Sequence, residues 1–224
     1  SQIAFVSSRT EKRELEFISE IYTMNADGSG VTCRSENIHN ATAPRWSPDG
    51  DKLLFVGSED PELSCMWQGS LYLSEQGGAP KPITDDSVSP ATGFGPIIPA
   101  PAMGWTQSGD IYFLGDAKGE SFLHKTSESG GSLSRVAGGD CQLLAATFDA
   151  GHSKAVLVAN SPNTLGALIE LDLATGDHRR LAHFNDEYFR EHPPARMEKF
   201  AQERAGMEIE SRVFFPPDFD ESKK

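Results

Sequence analysis

Short apolar runs alternate with polar turn clusters over most of this chain. Runs of about five Val, Ile, Leu, Phe or Tyr residues are bounded by Gly, Asp, Asn, Ser or Pro, as in "IAFVSSR" (3–9) and "DKLLFVGS" (51–58). Such runs between turn residues are typical of β-strands joined by tight turns. No segment before about position 186 keeps the apolar period of a helix. The pattern therefore predicts an all-β chain.

The apolar runs repeat as larger units. In "RWSPDGDKLLFVG" (45–57), "GWTQSGDIYFLGD" (104–116) and "ATFDAGHSKAVLVA" (146–159), an aromatic residue precedes a short turn and then an apolar strand. Further strands follow each time, and "EIYTMNADGSGVTCRS" (20–35) resembles one of these elements near the N-terminus. Four units in about 185 residues give a spacing of roughly 45 residues, the period of a four-stranded propeller blade. We therefore predict an all-β β-propeller of about four four-stranded blades.

The turn after each aromatic residue explains the repeated motif. Pro48 presets φ for the first turn position, Asp49 can accept a hydrogen bond from its own backbone, and Gly50 tolerates a positive φ. Trp46, just before the turn, supplies a large apolar face to pack between neighbouring blades. We interpret the motif as scaffold without a catalytic role.

The first unit lacks its aromatic residue and turn, because "IAFVSSR" corresponds to "LLFVGS" (53–58) in the second unit. We expect propeller blades over residues 1–185, with the first blade incomplete and the whole forming part of a larger propeller. Residues 186–224 are expected to form a linker. Strand edges exposed by an incomplete blade would favour self-association.

The charge of the chain narrows the possible partners. With 33 acidic and 20 basic residues the net charge is −13, which repels phosphate backbones, so we expect no nucleic-acid partner. No apolar run reaches the roughly 18 residues of a membrane span, so no membrane partner is expected. Residues 1–9 lack the basic and long apolar regions of a signal peptide.

The cysteines and histidines indicate no metal site and no cofactor. Three widely spaced cysteines without a Cys-x-x-Cys motif favour reduced thiols. A cytoplasmic location is therefore favoured, but the sequence leaves the compartment open. Six histidines lie in different units and are interpreted as scattered surface or turn residues. They are His39, His124, His152, His178, His183 and His192.

Two motifs carry a family resemblance. "PRWSPDGDKLLFVG" (44–57) resembles the TolB-like propeller repeat of TolB proteins and of prolyl oligopeptidase-family serine peptidases. "MEKFAQERAGMEIESRVFFPPDFDESKK" (197–224) is similar to the segment that leads from the propeller into the α/β-hydrolase domain of acylaminoacyl peptidases and dipeptidyl aminopeptidases. The residues that match that pattern are Phe200, Gly206, Ile209, Glu210, Pro216, Pro217, Phe219, Asp220, Lys223 and Lys224. Ala205 departs from it, since the family more often has Asp there, and this weakens a tight turn.

The resemblance implies a substrate-gating, non-catalytic part of a serine exopeptidase, with the hydrolase domain of the same protein and a short peptide as partners. In that family the catalytic Ser lies in a Gly-x-Ser-x-Gly motif, followed by Asp and His. The chain contains no such motif, since "ADGSG" (26–30) has Asp27 where the first glycine should be and "GGSLS" (130–134) has Ser134 where the second should be. We therefore assign no catalytic residue and expect the chain to be inactive alone.

One loop is a candidate for substrate contact. "TEKRELEFISE" (10–20) separates two strands of the first unit and carries Glu14, Glu16 and Glu20. Paired carboxylates complement the α-ammonium of a peptide. A solvated loop is the alternative.

Two irregular stretches stay open. "SPATGFGPIIPAPAMGW" (89–105) is either an apolar loop lining the central tunnel or the domain interface, or a connection between blades. "HFNDEYFREHPPARMEKF" (183–200) predicts a short helix or loop with Phe184, Tyr188 and Phe189 as packing anchors.

A second function stays open for the whole chain. A free-standing TolB-like propeller would be a protein-binding module. A propeller enzyme that depends on a sugar or a metal would need a constellation of His and Asp residues, and the sequence offers none.

Overall fold

The computed structural model describes residues 1–11, 13, 18–62, 69–92, 102–139, 141–162, 164–220 and 222. Over these residues the chain folds into antiparallel sheets that follow one another along the sequence. The predicted all-β propeller architecture is confirmed.

The first sheet, blade 1, has three strands. They are β1 (Gln2–Ser7), β2 (Glu20–Asn25) and β3 (Thr32–Cys33), paired in that order. The second sheet, blade 2, has four strands. They are β4 (His39–Trp46), β5 (Lys52–Ser58), β6 (Ser70–Glu75) and β7 (Lys81–Pro82). Over the described residues, blade 1 thus has one strand fewer than blade 2.

The third sheet, blade 3, divides its innermost strand into two pieces. Its strands are β8 (Ser89–Pro90), β9 (Gly104–Trp105), β10 (Asp110–Ala117), β11 (Glu120–Ser127) and β12 (Ser134–Gly138). Both β8 and β9 pair with β10, at Gly115 and Tyr112 respectively. The irregular stretch between β8 and β9 therefore starts and ends at the inner edge of this blade. Its residues 93–101 lie outside the described part of the chain.

The fourth sheet, blade 4, repeats the four-stranded order of blade 2. Its strands are β13 (Gln142–Phe148), β14 (Lys154–Ser161), β15 (Thr164–Asp172) and β16 (His178–Arg180). Over the described residues, no strand of blade 4 pairs with a strand of blade 1. No apolar cluster of the described residues joins blade 4 to blade 1 either, so each of these two blades has one sheet face that no other described blade covers.

The core lies between successive blades. One apolar cluster joins blades 1 and 2 around Ile21 and Phe55, a second joins blades 2 and 3 around Leu71 and Phe113, and a third joins blades 3 and 4 around Leu123. Strands such as β5 and β10 are buried on both faces because each lies between two sheets, which explains their continuous apolar runs.

The aromatic residues of the repeated motif pack as predicted. Trp105 is buried in the cluster between blades 2 and 3, and Trp46 packs against the cluster between blades 1 and 2. The indole N–H of Trp105 also donates to Glu128, whose carboxylate forms an ion pair with Lys52 of blade 2. Each motif thus fixes the packing of two blades.

One histidine contradicts its sequence interpretation. His124 lies in the middle of β11, only 1% exposed, with its ring stacked 5.4 Å from that of Phe113. Neither ring nitrogen has a hydrogen-bond partner of good geometry among the described residues. Burial lowers the pKa of His124, and nearby Arg135 lowers it further, while the Gly115 backbone and Asp116 oppose the shift.

This shift predicts a loss of stability in weak acid. Below the usual His pKa of about 6.5, His124 is protonated in the unfolded chain but stays neutral in the folded one. Protonation therefore stabilises the unfolded state relative to the folded state. As the pH is lowered below that value, the free energy of unfolding should decrease by up to about 1.4 kcal/mol per pH unit, until the lowered pKa of folded His124 is reached. Urea unfolding at pH 7.5 and 5.5 measures this, with His124→Phe for comparison. An unchanged pH dependence in that variant would rule the explanation out.

After blade 4 the chain forms a short helix and a long hairpin. The helix is α1 (Asp186–Glu191), and the hairpin pairs β17 (Arg196–Arg204) with β18 (Met207–Phe215). The short helix is as predicted, but two of the proposed anchors are not packed. Phe184 is 71% and Tyr188 59% exposed. Helix α1 has no buried residue, so its aromatic side chains have no core to enter.

The hairpin turn contains a strained residue. Ala205 and Gly206 both have positive φ, at 54° and 77°, which is the backbone of a two-residue turn that favours Asn-Gly. A non-glycine residue such as Ala costs about 1–2 kcal/mol in this region.

We expect Ala205→Asn to stabilise the hairpin by about 0.5–1 kcal/mol, because Asn tolerates this backbone at lower cost. Amide hydrogen exchange along β17 and β18 measures the change, since a local opening reports the stability of the hairpin directly. The control is Ala201→Asn, in the middle of β17, where no left-handed residue is relieved. Equal protection in both variants would refute the turn argument.

Candidate functional site

The connections between the second and third strands of the blades mark one rim of the propeller. In blades 2, 3 and 4 these connections are residues 59–69, 118–119 and 162–163, and in blade 1 the corresponding connection is 8–19. Because each sheet repeats the same antiparallel strand order, all four connections leave the sheets at the same end. We call this end the upper rim. It carries the two long connections 8–19 and 59–69.

The hairpin β17–β18 lies on the upper rim above blade 3. The Arg212 guanidinium donates to the Gly119 carbonyl oxygen at 2.6 Å, and Lys199 forms an ion pair with Glu120. The Lys199 ammonium holds the pKa of the Glu120 carboxyl below its usual value. Two polar contacts, more than 75 residues apart in sequence, thus join the hairpin to the turn of blade 3.

A cavity of about 480 Å³ opens between the hairpin and the rim of blades 3 and 4. Its wall includes Asp116, Ser121, Asn160, Met197, Arg212 and Phe214. This volume falls within the range of roughly 300–1,000 Å³ of small-molecule sites. The wall is mixed in character, with two apolar side chains, hydrogen-bonding groups and both signs of charge. We call it the rim cavity.

The predicted substrate-contact residues do not line the rim cavity. Glu14 and Glu16 lie outside the described residues, and Glu20 begins β2 on the upper rim of blade 1. The Glu20 carboxylate accepts a 2.6 Å hydrogen bond from the Tyr22 hydroxyl. Burial and then this hydrogen bond raise the pKa of Tyr22 to about 12. Contact between these glutamates and a substrate stays a prediction.

The environment of Glu20 also contains a cation. The Arg9 guanidinium lies 4.5 Å from the centre of the Tyr22 ring, over the same side chain whose hydroxyl donates to Glu20. An incoming ammonium would therefore meet Glu20 with one carboxylate oxygen engaged and a positive charge nearby. The Tyr22 hydrogen bond and the nearby Arg9 charge weaken Glu20 as an acceptor acting alone. Binding of a substrate ammonium would therefore depend on Glu14 and Glu16 as well.

Sequence reasoning missed the rim cavity, because its wall comes from blade 3, blade 4 and the hairpin. The described residues contain no group of three or more His, Cys, Asp or Glu side chains placed to hold a metal ion. No helix in the described part of the chain is long and apolar enough to cross a membrane.

Comparison with known proteins supports the fold. No family model matches the chain. No curated protein matches its sequence either. Among solved structures, an acylaminoacyl peptidase in complex with Z-Gly-Gly-Phe-chloromethyl ketone is similar with a TM-score of 0.72 and 17% identity, over 100% of this chain and 32% of that one. A puromycin hydrolase is similar with a TM-score of 0.65 and 20% identity, over 98% and 33%.

A third similar structure is TolB from Acinetobacter baumannii, with a TM-score of 0.56 and 17% identity, over 95% of this chain and 49% of that one. The chain has the β-propeller fold that these structures share. At these identities the likeness concerns the fold alone. The chain spans about a third of the length of the two hydrolytic enzymes, so the resemblance to peptidase propellers is confirmed for that part of their structure.

Proposed function

We propose that this chain is the propeller part of a two-domain serine exopeptidase that resembles acylaminoacyl peptidase. The propeller would limit access to an active site on a hydrolase domain, so that short peptides reach the catalytic serine and folded proteins do not. The observation that carries the proposal is the hairpin β17–β18, which has one face on the propeller and, on the other, a stripe of exposed apolar side chains.

The two faces of the hairpin differ in what they contact. Side chains alternate between the faces of a strand, so Met197, Lys199, Arg212 and Phe214 share the face towards the rim. The opposite face carries an apolar stripe of Phe200, Met207, Ile209 and Val213, exposed to between 37% and 64%. The second face therefore has an exposed apolar stripe, which shares the face with polar and charged side chains. These are Arg196, Glu198, Gln202, Arg204 and Ser211.

An open hairpin of this kind favours docking. A two-stranded hairpin is marginally stable alone and gains stability when a further strand or helix covers its apolar face. Contiguous apolar side chains exposed on a surface usually mark an interface. No further strand of the described chain pairs with the outer edges of β17 and β18, so their backbone groups could extend a sheet. These features suit the first strands of a hydrolase domain that continues after the hairpin.

The position of the hairpin supports the gating role. A hydrolase domain seated on it would lie over the upper rim, where the connections 8–19 and 59–69 leave the blades. Substrate would then pass between the rim and the catalytic domain. The size limit would come from the rigid blades, whose packing fixes the width of the opening.

The direct test is the reading frame beyond codon 224 of the source gene. We expect an apolar strand, a His- and Gly-rich oxyanion motif and then Gly-x-Ser-x-Gly. The gene product should hydrolyse short peptides and leave the same sequence uncut inside a folded protein. A stop codon directly after Lys224 in an intact gene would refute the proposal.

A second test uses the chain of 224 residues alone. A fluorophosphonate probe labels activated serines, and we expect no labelling because the chain has no Gly-x-Ser-x-Gly motif. The longer gene product, treated in parallel, should be labelled. Labelling of the short chain would contradict the assignment of a non-catalytic part.

The alternative is a TolB-like propeller that binds a protein partner, which the similarity to TolB favours. The same apolar face of the hairpin would then receive the partner. Substituting Phe200→Asp separates the two: peptide hydrolysis by the longer product should fall under the first proposal, whereas the alternative predicts no hydrolysis to lose.

A further inference from the structure

The rim cavity lies where the apolar interface of blades 3 and 4 opens to solvent. Asp116 and Ser121 are paired across β10 and β11 and therefore point to the same side of the sheet. Two residues further into the blade, Leu114 and Leu123 belong to the cluster between blades 3 and 4. The cavity thus has a packed floor formed by two rigid blades, and the hairpin forms part of its wall above them.

The two carboxylates of the cavity wall differ in whether a cation is paired with them. Glu120 is paired with Lys199 of the hairpin. Over the described residues, Asp116 makes neither an ion pair nor a hydrogen bond with its carboxylate, and its side chain is exposed in the cavity wall. One negative charge in the wall is therefore available to a ligand.

The cavity also offers a cation. The Arg212 guanidinium donates to the Gly119 carbonyl through one of its nitrogens. A guanidinium carries five N–H donors, so this contact leaves donors for a carboxylate. The contact with Gly119 holds the Arg212 guanidinium in place at the edge of the cavity. Arg212 is also one of the residues that line the cavity wall.

The remaining wall suits a peptide between these charges. Met197 and Phe214 give an apolar surface, and Phe214 is 59% exposed. Asn160 and Ser161 give hydrogen-bonding groups, and the Gly166 N–H fixes the Asn160 amide by donating to its oxygen at 2.7 Å. A ligand with opposite terminal charges, an amide and an apolar side chain matches all four groups.

We propose that the rim cavity binds a short zwitterionic peptide, with its α-ammonium at Asp116 and its carboxylate at Arg212. The choice of a peptide rests on the proposed function, since the charges and the apolar wall alone would admit other zwitterions. Bound in this way, a short peptide would be held at the upper rim, beside the path between the propeller and a catalytic domain.

The test titrates the chain of 224 residues with three peptides, followed by nuclear magnetic resonance at low salt. The free dipeptide Leu-Phe carries both charges, its N-acetyl form lacks the ammonium, and its C-terminal amide lacks the carboxylate. We expect each modified form to bind about fivefold more weakly than Leu-Phe, the size of one partly screened charge pair. Equal affinity of all three peptides would overturn the proposal.

The variant Asp116→Asn tests the ammonium site without removing a structural contact. It should weaken Leu-Phe about fivefold, and the N-acetyl form should then bind as well as the free one. Asp51→Asn is the matched control, since Asp51 lies in the turn of blade 2 at the opposite end of the sheet. If Asp116→Asn leaves the affinity unchanged, or if Asp51→Asn lowers it equally, Asp116 is not the acceptor.

Arg212 also joins the hairpin to blade 3, so a substitution there would disturb the structure as well as the site. The carboxylate site is therefore tested by changing the ligand. If amidation of the peptide does not weaken binding, the assignment of Arg212 fails. An N-acetyl-lysine amide that binds as tightly as Leu-Phe would overturn the choice of the α-ammonium. These outcomes are independent of the gene test, because they concern only dipeptide binding by the propeller chain.

Discussion

Replacing Phe113 by Ala is expected to lower the free energy of unfolding by about 3–5 kcal/mol. Phe113 is 1% exposed and lies in the apolar cluster between blades 2 and 3. Its ring also stacks on His124, so its loss leaves a cavity beside an already uncompensated imidazole. Two blades fixed by their backbones cannot collapse easily into that space, which places the cost in the upper part of the range.

Urea unfolding followed by circular dichroism measures the loss. The matched control is Phe184→Ala, which removes the same side chain where it is 71% exposed and should cost less than about 0.5 kcal/mol. Phe113→Leu should retain most of the stability because it keeps an apolar side chain of similar volume. Similar costs for the two alanine variants would show that the blade interface does not depend on Phe113.

The repeat in the sequence predicted the blades because the same local chemistry recurs at every turn. Gly50 has a φ of 81°, and the Asp49 side chain accepts a hydrogen bond from the Asp51 N–H. Both features agree with the turn that the sequence predicts. Trp46 and Trp105 precede equivalent turns and pack at equivalent blade interfaces. A motif that encodes a turn and its packing residue together can be recognised without knowledge of distant contacts.

His124 could not be placed in the same way. It follows Phe122 and Leu123 in a strand that is buried on both faces, so alternation along β11 does not separate inside from outside. A polar residue in such a strand looks like a surface residue in sequence, yet the neighbouring blade covers it. The aromatic residues near α1 show the opposite error, since Phe184 and Tyr188 look like core residues and are exposed.

The rim cavity depends on contacts distant in sequence. Lys199 meets Glu120, and Arg212 meets Gly119, across 79 and 93 residues. No local pattern encodes such a pair, because each side chain alone resembles an ordinary surface charge. Only the stacking of blade 3, blade 4 and the hairpin brings Asp116 and Arg212 into one wall. By contrast, Glu20 could be proposed from the sequence because it ends a single conspicuous charged stretch, and its contact with a substrate stays a prediction.

Gly138→Ala is expected to destabilise the fold by more than about 3 kcal/mol, through two separate causes. Gly138 ends β12 with a φ of +108°, which L-residues rarely adopt. A methyl group there would overlap the Ser121 carbonyl oxygen and lie 2.9 Å from the Phe122 Cα, both of them backbone atoms of β11. Backbone atoms in a buried strand cannot move aside as a flexible side chain can, so the pairing of β11 and β12 must shift.

Gly131→Ala separates the two causes. Gly131 has a φ of +87° and no atom within 4 Å of an added methyl group, so its substitution carries the backbone strain without the overlap. We expect it to cost about 1–2 kcal/mol, and Gly138→Ala to cost at least about 2 kcal/mol more. Urea unfolding of both variants gives the difference. Since Gly139 lines the rim cavity directly after Gly138, Gly138→Ala should also weaken Leu-Phe binding, whereas Gly131→Ala should not. Equal costs for the two variants would mean that φ alone requires glycine at position 138, and that the close approach of β12 to β11 has room to relax.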